Sequence, residues 1–97
     1  MRILRTAQAE NDLIEIWAYV AIHDMAAADA LLDRIEARWR LLATQPRSGR
    51  TRDDLKVGLR QVTTGNYLTF YHLQDDALVV LRVLHGSRDI GSDEVSG

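Results

Sequence analysis

The sequence predicts a small α+β domain with the order β-α-α-β-β-β, in which a helical hairpin packs on a mainly antiparallel sheet. Two observations carry this prediction. In the first half of the chain, apolar residues recur at helical spacing in two segments separated by a short break. In the second half, three runs of strand-forming residues are separated by two-residue turns. The 97 residues leave room for one domain, which we place at residues 1–90, followed by a polar C-terminal tail at 91–97.

The chain is expected to begin with a strand and a helix. Residues 2–5 alternate weakly and predict a short strand, which should join the sheet because a lone strand leaves its backbone groups unpaired. Thr6 is predicted to cap the first helix. Acidic residues lie in the first half of this helix, where the helix dipole favours them. Its apolar face consists of Leu13, Ile16, Trp17 and Val20.

A second helix is predicted to follow after a break at residues 22–24. Asp24 is a favourable N-cap, and the residues before Pro46 avoid the helical region, so the helix should end there. Two helices joined by so short a break predict an antiparallel hairpin. The apolar stripe of this helix consists of Ala28, Leu31, Leu32, Ile35, Trp39 and Leu42.

Three strands are predicted after an irregular loop at residues 46–56. They cover residues 57–64, 67–73 and 77–84. Gly65 and Asn66 form the first turn, because both residue types tolerate positive φ, and Asp75 and Asp76 form the second. The last strand is apolar on both faces, which predicts a central position covered on each side.

Composition excludes several classes of protein. The chain is 46% apolar and 27% charged, which is typical of a globular domain and not of a disordered one. No apolar run reaches the roughly 18 residues of a membrane span, and the N-terminus lacks a signal-peptide pattern. There is no cysteine, and the three histidines are too far apart for a metal motif. We therefore expect a cytoplasmic protein without metal or cofactor and without a membrane partner.

Arg82 is the most informative single residue. It lies within the most apolar strand, on the face predicted to carry Leu78, Val80 and Leu84. A buried guanidinium is costly unless it is paired. Arg82 is therefore either a structural residue, paired with an acid or extended to solvent, or an anion-binding residue on the sheet.

Other basic residues cluster in the second half of the chain. Residues 46–90 contain seven basic and five acidic side chains, although the net charge of the whole chain is −2. Arg60 lies early in its strand, and His85 and Arg88 follow the last strand, where Gly86 allows a sharp turn. With the loop arginines these residues predict a basic cleft at one end of the sheet. The alternative is a set of scattered surface arginines.

Several segments together resemble ParE-type toxins of the RelE/ParE superfamily, from bacterial type II toxin–antitoxin systems. The resemblance covers about residues 1–90 and rests on the order and spacing of its motifs. These are AENDLIEIWAY at 9–19, Ala28 with LLDRI at 31–35, LATQPRSGR at 42–50, GLR at 58–60, YLTFY at 67–71 and VLHGSRD at 83–89.

This resemblance implies a toxin that inhibits DNA gyrase as a binding protein and is neutralised by a ParD-like or other small DNA-binding antitoxin. It implies no direct DNA binding by the chain alone and no cofactor. The expected target contacts are Arg60, Arg82, His85 and Arg88. The expected antitoxin contacts are Leu13, Trp17, Val20, Leu31, Ile35 and Trp39.

Two alternatives remain within the same superfamily. RelE-like members cleave mRNA on the ribosome, and Arg60, Arg82 and His85 would then supply acid–base chemistry and charge stabilisation. The sequence departs from that pattern, because Lys56 is its one lysine and no tyrosine follows the last strand. The other alternative is a non-toxic member that acts as a binding partner.

Overall fold

The computed structural model describes residues 1–87 and 90–95, and its elements follow the predicted order with two additions. The helices are α1 (Ala7–Ala21) and α2 (Met25–Thr44). The strands are β1 (Arg2–Arg5), β2 (Arg50–Thr51), β3 (Arg60–Thr64), β4 (Tyr67–Gln74) and β5 (Ala77–His85). A 3₁₀ turn at Ser92–Val95 follows β5. Over these residues the predicted α+β class is confirmed.

The sheet is mixed, with the strand order β1-β5-β4-β3-β2. β1 pairs with β5 in parallel, and the remaining neighbours are antiparallel. The first strand therefore joins the sheet, and β5 takes an internal position, as the sequence predicts. In the described part of the chain, no helix is long and apolar enough to cross a membrane.

Local signals fix both helix starts. Thr6 Oγ1 accepts from the backbone N–H of Ala9 at 3.0 Å, and Asp24 Oδ1 accepts from the N–H of Ala27 at 3.0 Å. Each cap satisfies one of the N–H groups that the first helical turn leaves without a partner. Both predicted N-caps are confirmed.

The boundaries in the second half of the chain need correction. The predicted strand at 57–64 begins only at Arg60, because Gly58 adopts a positive φ of 85° and Leu59 N–H closes a turn onto the Lys56 carbonyl. The predicted loop contains β2, whose two residues pair with Gln61 and Arg60. In the first hairpin turn Gly65 takes a positive φ of 57°, whereas Asn66 does not take a positive φ.

An irregularity in β5 changes which side chains face the helices. Phe70 pairs with Arg82 but Tyr71 pairs with Val80, so Leu81 is an extra residue in a β-bulge. The bulge shifts the alternation by one residue beyond this point. Leu84 therefore packs on the opposite face from Val80, and the predicted common face for these residues is wrong.

The sheet has a hydrophobic core on each face. The helical hairpin covers one face, where Ile35, Trp39 and Leu42 pack with Tyr71 and Val80. The Nε1–H of Trp39 donates to Thr69 Oγ1 at 2.9 Å, which satisfies a polar group inside this core. The second core consists of Leu59, Phe70, Leu81, Leu84 and Val95.

The C-terminal segment closes this second core. Val95 is fully buried, and the Glu94 carbonyl accepts from Arg82 Nη1 at 3.0 Å. Ser92–Val95 of the predicted polar tail therefore packs on the sheet. Polar residues dominate the local sequence, and one apolar side chain is enough to anchor the turn to the sheet.

Candidate functional site

Asp12 and Arg82 form a half-buried ion pair between α1 and β5. Arg82 Nε and Nη2 donate to the two Asp12 carboxylate oxygens at 2.8 and 2.9 Å. The Val83 backbone N–H donates to the same carboxylate at 2.9 Å. β1 ends at Arg5, opposite Val80, so it does not extend far enough to pair with Val83. The Asp12 carboxylate accepts the Val83 N–H instead.

This pairing decides the role of Arg82. Its side chain is 17% exposed and that of Asp12 is 7% exposed. The hydrogen bond that Arg82 donates to Asp12 raises the pKa of Arg82, against the opposing effect of burial. The guanidinium is thus held by Asp12 and the Glu94 carbonyl, so the predicted ion pair is confirmed. The geometry does not support the alternative roles of Arg82 in target contact or catalysis.

Arg60 and Tyr71 hold the loop between α2 and β2. Arg60 Nη1 donates to the carbonyls of Arg47 and Gly49 at 2.9 and 2.8 Å. Tyr71 Oη donates to the Pro46 carbonyl at 2.8 Å and accepts from the Gly49 N–H at 3.1 Å. Burial raises the pKa of Tyr71. The hydrogen bond from Gly49 and the charges of Arg60 and Arg38 oppose this rise. Arg60 therefore positions a loop.

Gly49 is expected to tolerate no side chain. A Cβ at this position would lie 2.2 Å from Tyr71 Oη, so a Gly49→Ala substitution must displace the ring or the loop. We expect it to lower the free energy of unfolding by about 1–3 kcal/mol, the usual cost of overpacking. A Gly91→Ala variant is the control, since nothing lies within 4 Å of its added Cβ. Equal urea midpoints for the two variants would show that the Tyr71–Gly49 contact is not required.

His85 lies at the rim of an open cavity of about 530 Å³ between α1 and the end of β5. Its ring is exposed and packs edge-on against Tyr67, with 5.2 Å between centroids. His85 Nδ1 lies 2.6 Å from Ser87 Oγ. Burial raises the pKa of Tyr67, with a smaller contribution from Tyr19. His85 is therefore accessible to a partner.

Among the described residues, Arg60 and His85 do not meet in the predicted basic cleft. Arg60 lies opposite Tyr71 on β4, whereas His85 lies opposite Tyr67, four residues away. This places the two residues about 14 Å apart along the strands, and on opposite sides of β4. Arg88, the fourth predicted target contact, lies outside the described residues. The three residues predicted for a nuclease therefore do not converge on one site.

The residues predicted to contact an antitoxin divide into two groups. Ile35 and Trp39 are buried in the core, so this structure leaves neither accessible for the predicted antitoxin contact. Leu13 is also buried, at 5% exposure, but it lines the cavity that Trp17 borders. The apolar spacing that selected them is typical of core residues. Trp17, Val20 and Leu31 are partly exposed. Trp17 also borders a cavity of about 350 Å³ between the helices and Arg5 at the end of β1.

Sequence reasoning missed two features of the structure. Asp12 sits beside the apolar face of α1, and this position was the available signal for its burial. Arg34 and Arg38 border a cleft between α2 and β3. Their four-residue spacing was the available signal that they share one face of the helix. Among the described residues, no group of three or more acidic or histidine side chains is placed to hold a metal ion.

The family model and the relatives that match this chain are all ParE toxins. Residues 3–90 match the family model described as ParE toxin of type II toxin-antitoxin system, parDE. The chain is 33% identical over 92 residues to Toxin ParE3 of Caulobacter vibrioides, covering 94% of this chain and 92% of that protein. It is 29% identical over 93 residues to Toxin ParE1 of Mycobacterium tuberculosis, covering 92% and 93%.

Two solved structures share the fold. A chain of the chromosomal ParDE TA system from P. aeruginosa superposes with a TM-score of 0.75 at 20% identity, over 88% of this chain and 95% of that one. A chain of the toxin–antitoxin complex RelBE2 from Mycobacterium tuberculosis gives a TM-score of 0.59 at 26% identity, over 87% and 95%.

Proposed function

Because the chain belongs to the ParE toxin family of type II toxin–antitoxin systems, we propose that it inhibits DNA gyrase and is held inactive by an antitoxin. The observation that carries this proposal is the family match over residues 3–90, which includes both helices, four complete strands and all of β1 except Arg2. A gyrase inhibitor of this kind acts in the cytoplasm by binding, without a cofactor.

The geometry favours a binding role over RNA cleavage. General acid–base catalysis requires the participating groups within hydrogen-bond reach of one substrate. Arg60 and Arg82 instead donate to protein carbonyls and to Asp12, and His85 lies at another level of the sheet. Of the four predicted target contacts, we keep His85 as a gyrase contact because it is exposed. Arg88 stays a predicted contact on the evidence of the sequence alone.

The antitoxin partner is proposed because the two structural neighbours come from a ParDE system and from a RelBE2 toxin–antitoxin complex. We place its contact on the exposed parts of Trp17, Val20 and Leu31 and on the neighbouring cavity. This cavity has an apolar floor, and Arg5 and Glu36 at its edge already pair with each other at 2.7 Å. An apolar segment of the antitoxin suits such a floor.

Two assays on the purified chain test the target. We expect inhibition of gyrase supercoiling, or trapped DNA cleavage complexes, and no cleavage of mRNA in a translating extract. Adding the antitoxin encoded beside the toxin should restore gyrase activity. His85→Ala should weaken gyrase inhibition while leaving the melting temperature nearly unchanged, since His85 is exposed.

The opposite pattern would contradict the proposal. Ribosome-dependent cuts that disappear in His85→Ala would assign the chain to the RNA-cleaving class. If the purified chain is not toxic and does not bind the product of the neighbouring gene, both gyrase inhibition and antitoxin binding are contradicted.

A further inference from the structure

A cleft between α2 and β3 concentrates positive charge. It has a volume of about 450 Å³, and we call it the arginine groove. Its lining residues are Arg34, Ala37, Arg38, Leu41, Thr63, Thr64 and Gly65. None of the residues assigned above to target or antitoxin contact lines it.

The two guanidinium groups of the groove have no acidic partner among residues 1–87 and 90–95. No carboxylate in these ranges lies within 4.0 Å of Arg34 or Arg38. Glu36 pairs with Arg5, and Asp33 lies about 100° around the helix from Arg34. Like charges four residues apart destabilise a helix, so this arrangement costs free energy unless an anion is bound.

A third arginine extends the positive region. Arg60 is the first residue of β3, and Arg38 lines the groove beside Thr63 and Thr64 further along the same strand. At the other end, Arg34 Nη2 lies 3.4 Å from the position of a Cβ added to Gly65. The positive side chains therefore follow β3 from one end to the other. The chain as a whole carries a net charge of −2, which makes this local concentration distinctive.

The surrounding groups suit a phosphate. A guanidinium presents paired N–H donors that match phosphate oxygens, while hydroxyl groups and backbone amides supply many of the remaining phosphate contacts in complexes with DNA. Thr64 lines the groove, and its buried hydroxyl oxygen has no hydrogen-bond partner in the described chain. β2 pairs only with Arg60 and Gln61, so the outer edge of β3 from Val62 to Thr64 carries no paired strand in the described chain.

We infer that the arginine groove binds the phosphate backbone of the DNA duplex on which gyrase acts, an inference that rests on the gyrase target proposed above. The groove is an open cleft, which suits a phosphate on a polymer better than an enclosed small molecule. Few phosphate contacts give weak binding at physiological salt. The contact therefore adds affinity only when gyrase holds the DNA nearby, and this agrees with the expectation that the free chain does not bind DNA.

The test measures binding to gyrase with and without a linear DNA duplex. Three proteins are compared: wild type, Arg34→Ala/Arg38→Ala, and the control Arg2→Ala/Arg40→Ala, which removes the same charge from exposed positions elsewhere. We expect equal affinities for gyrase alone. The duplex should strengthen binding of wild type and control by about tenfold and of the groove variant by less than about twofold.

Salt dependence gives a second readout. Each phosphate contact contributes about −0.9 to the slope of log affinity against log salt, so two lost contacts reduce the slope by about 1.8. Between 50 and 200 mM salt, this makes wild type lose about 12-fold more affinity for the gyrase–DNA complex than the groove variant loses. Thermal melts of all three proteins verify that they fold.

Three outcomes would overturn the inference. One is an equal gain from DNA in wild type and groove variant. Another is a groove variant that binds gyrase weakly without DNA, which would make the groove a protein interface. If wild type fails to bind gyrase at all, the proposed function is wrong. The groove is then judged on low-salt binding to the duplex alone, where equal salt slopes for wild type and groove variant would refute the phosphate site.

Discussion

Replacing Asp12 with alanine is expected to lower the free energy of unfolding by about 3–5 kcal/mol. The substitution leaves the Arg82 guanidinium half-buried without its carboxylate, and it removes the acceptor for the Val83 N–H. Removing one member of a buried ion pair costs this much because the remaining charge stays desolvated. A domain of 97 residues has a total stability of roughly 5–15 kcal/mol, so the loss is a large part of it.

Urea denaturation followed by tryptophan fluorescence measures this effect. Glu10→Ala is the matched control, because it removes an exposed acid from the same helix and should cost less than about 1 kcal/mol. In the Asp12→Ala background, Arg82→Ala should cost much less than it does in wild type, since the pair is already broken. If Asp12→Ala and Glu10→Ala are equally stable, Arg82 is not a structural residue, and it must again be considered a target contact.

The helices were predictable because their signals are local. Thr6 and Asp24 cap the helices that immediately follow them, and the apolar spacing marks the buried face within each helix. The same spacing does not separate a core residue from an interface residue. Ile35 and Trp39 therefore looked equally suitable for the core and for an antitoxin contact, and only the packing on the sheet decides between these roles.

The features that the sequence did not indicate depend on contacts between distant residues. The bulge at Leu81 follows from pairing with β4, and β2 exists only through its contacts with β3. The two interpretations of Arg82 differ in whether an acid is near, and that acid lies 70 residues away on α1. The separation of Arg60 from His85 likewise follows from strand register.

The C-terminal turn supplies the second large expected effect. Val95 is fully buried against Leu59, Phe70, Leu81 and Leu84, at the end of a segment whose other residues are mostly polar. Burying a valine side chain contributes about 1.5–3 kcal/mol. A carboxylate at this position would have to leave the core, and the detached turn would uncover the apolar face of the sheet.

Val95→Asp is therefore expected to destabilise the fold by about 3 kcal/mol, which corresponds to a fall in melting temperature of roughly 12–24 °C for a domain of this size. Val57→Asp is the control, because Val57 is 88% exposed and the same substitution there should change stability by no more than about 0.5 kcal/mol. Calorimetry or thermal circular dichroism gives both values. If the two variants melt within about 2 °C of each other, the turn is not part of the cooperative fold. A fall in Val95→Asp alone shows that the turn is part of the cooperative fold, so the effect of any change at this end of the chain on target binding must be corrected for the fraction of folded protein.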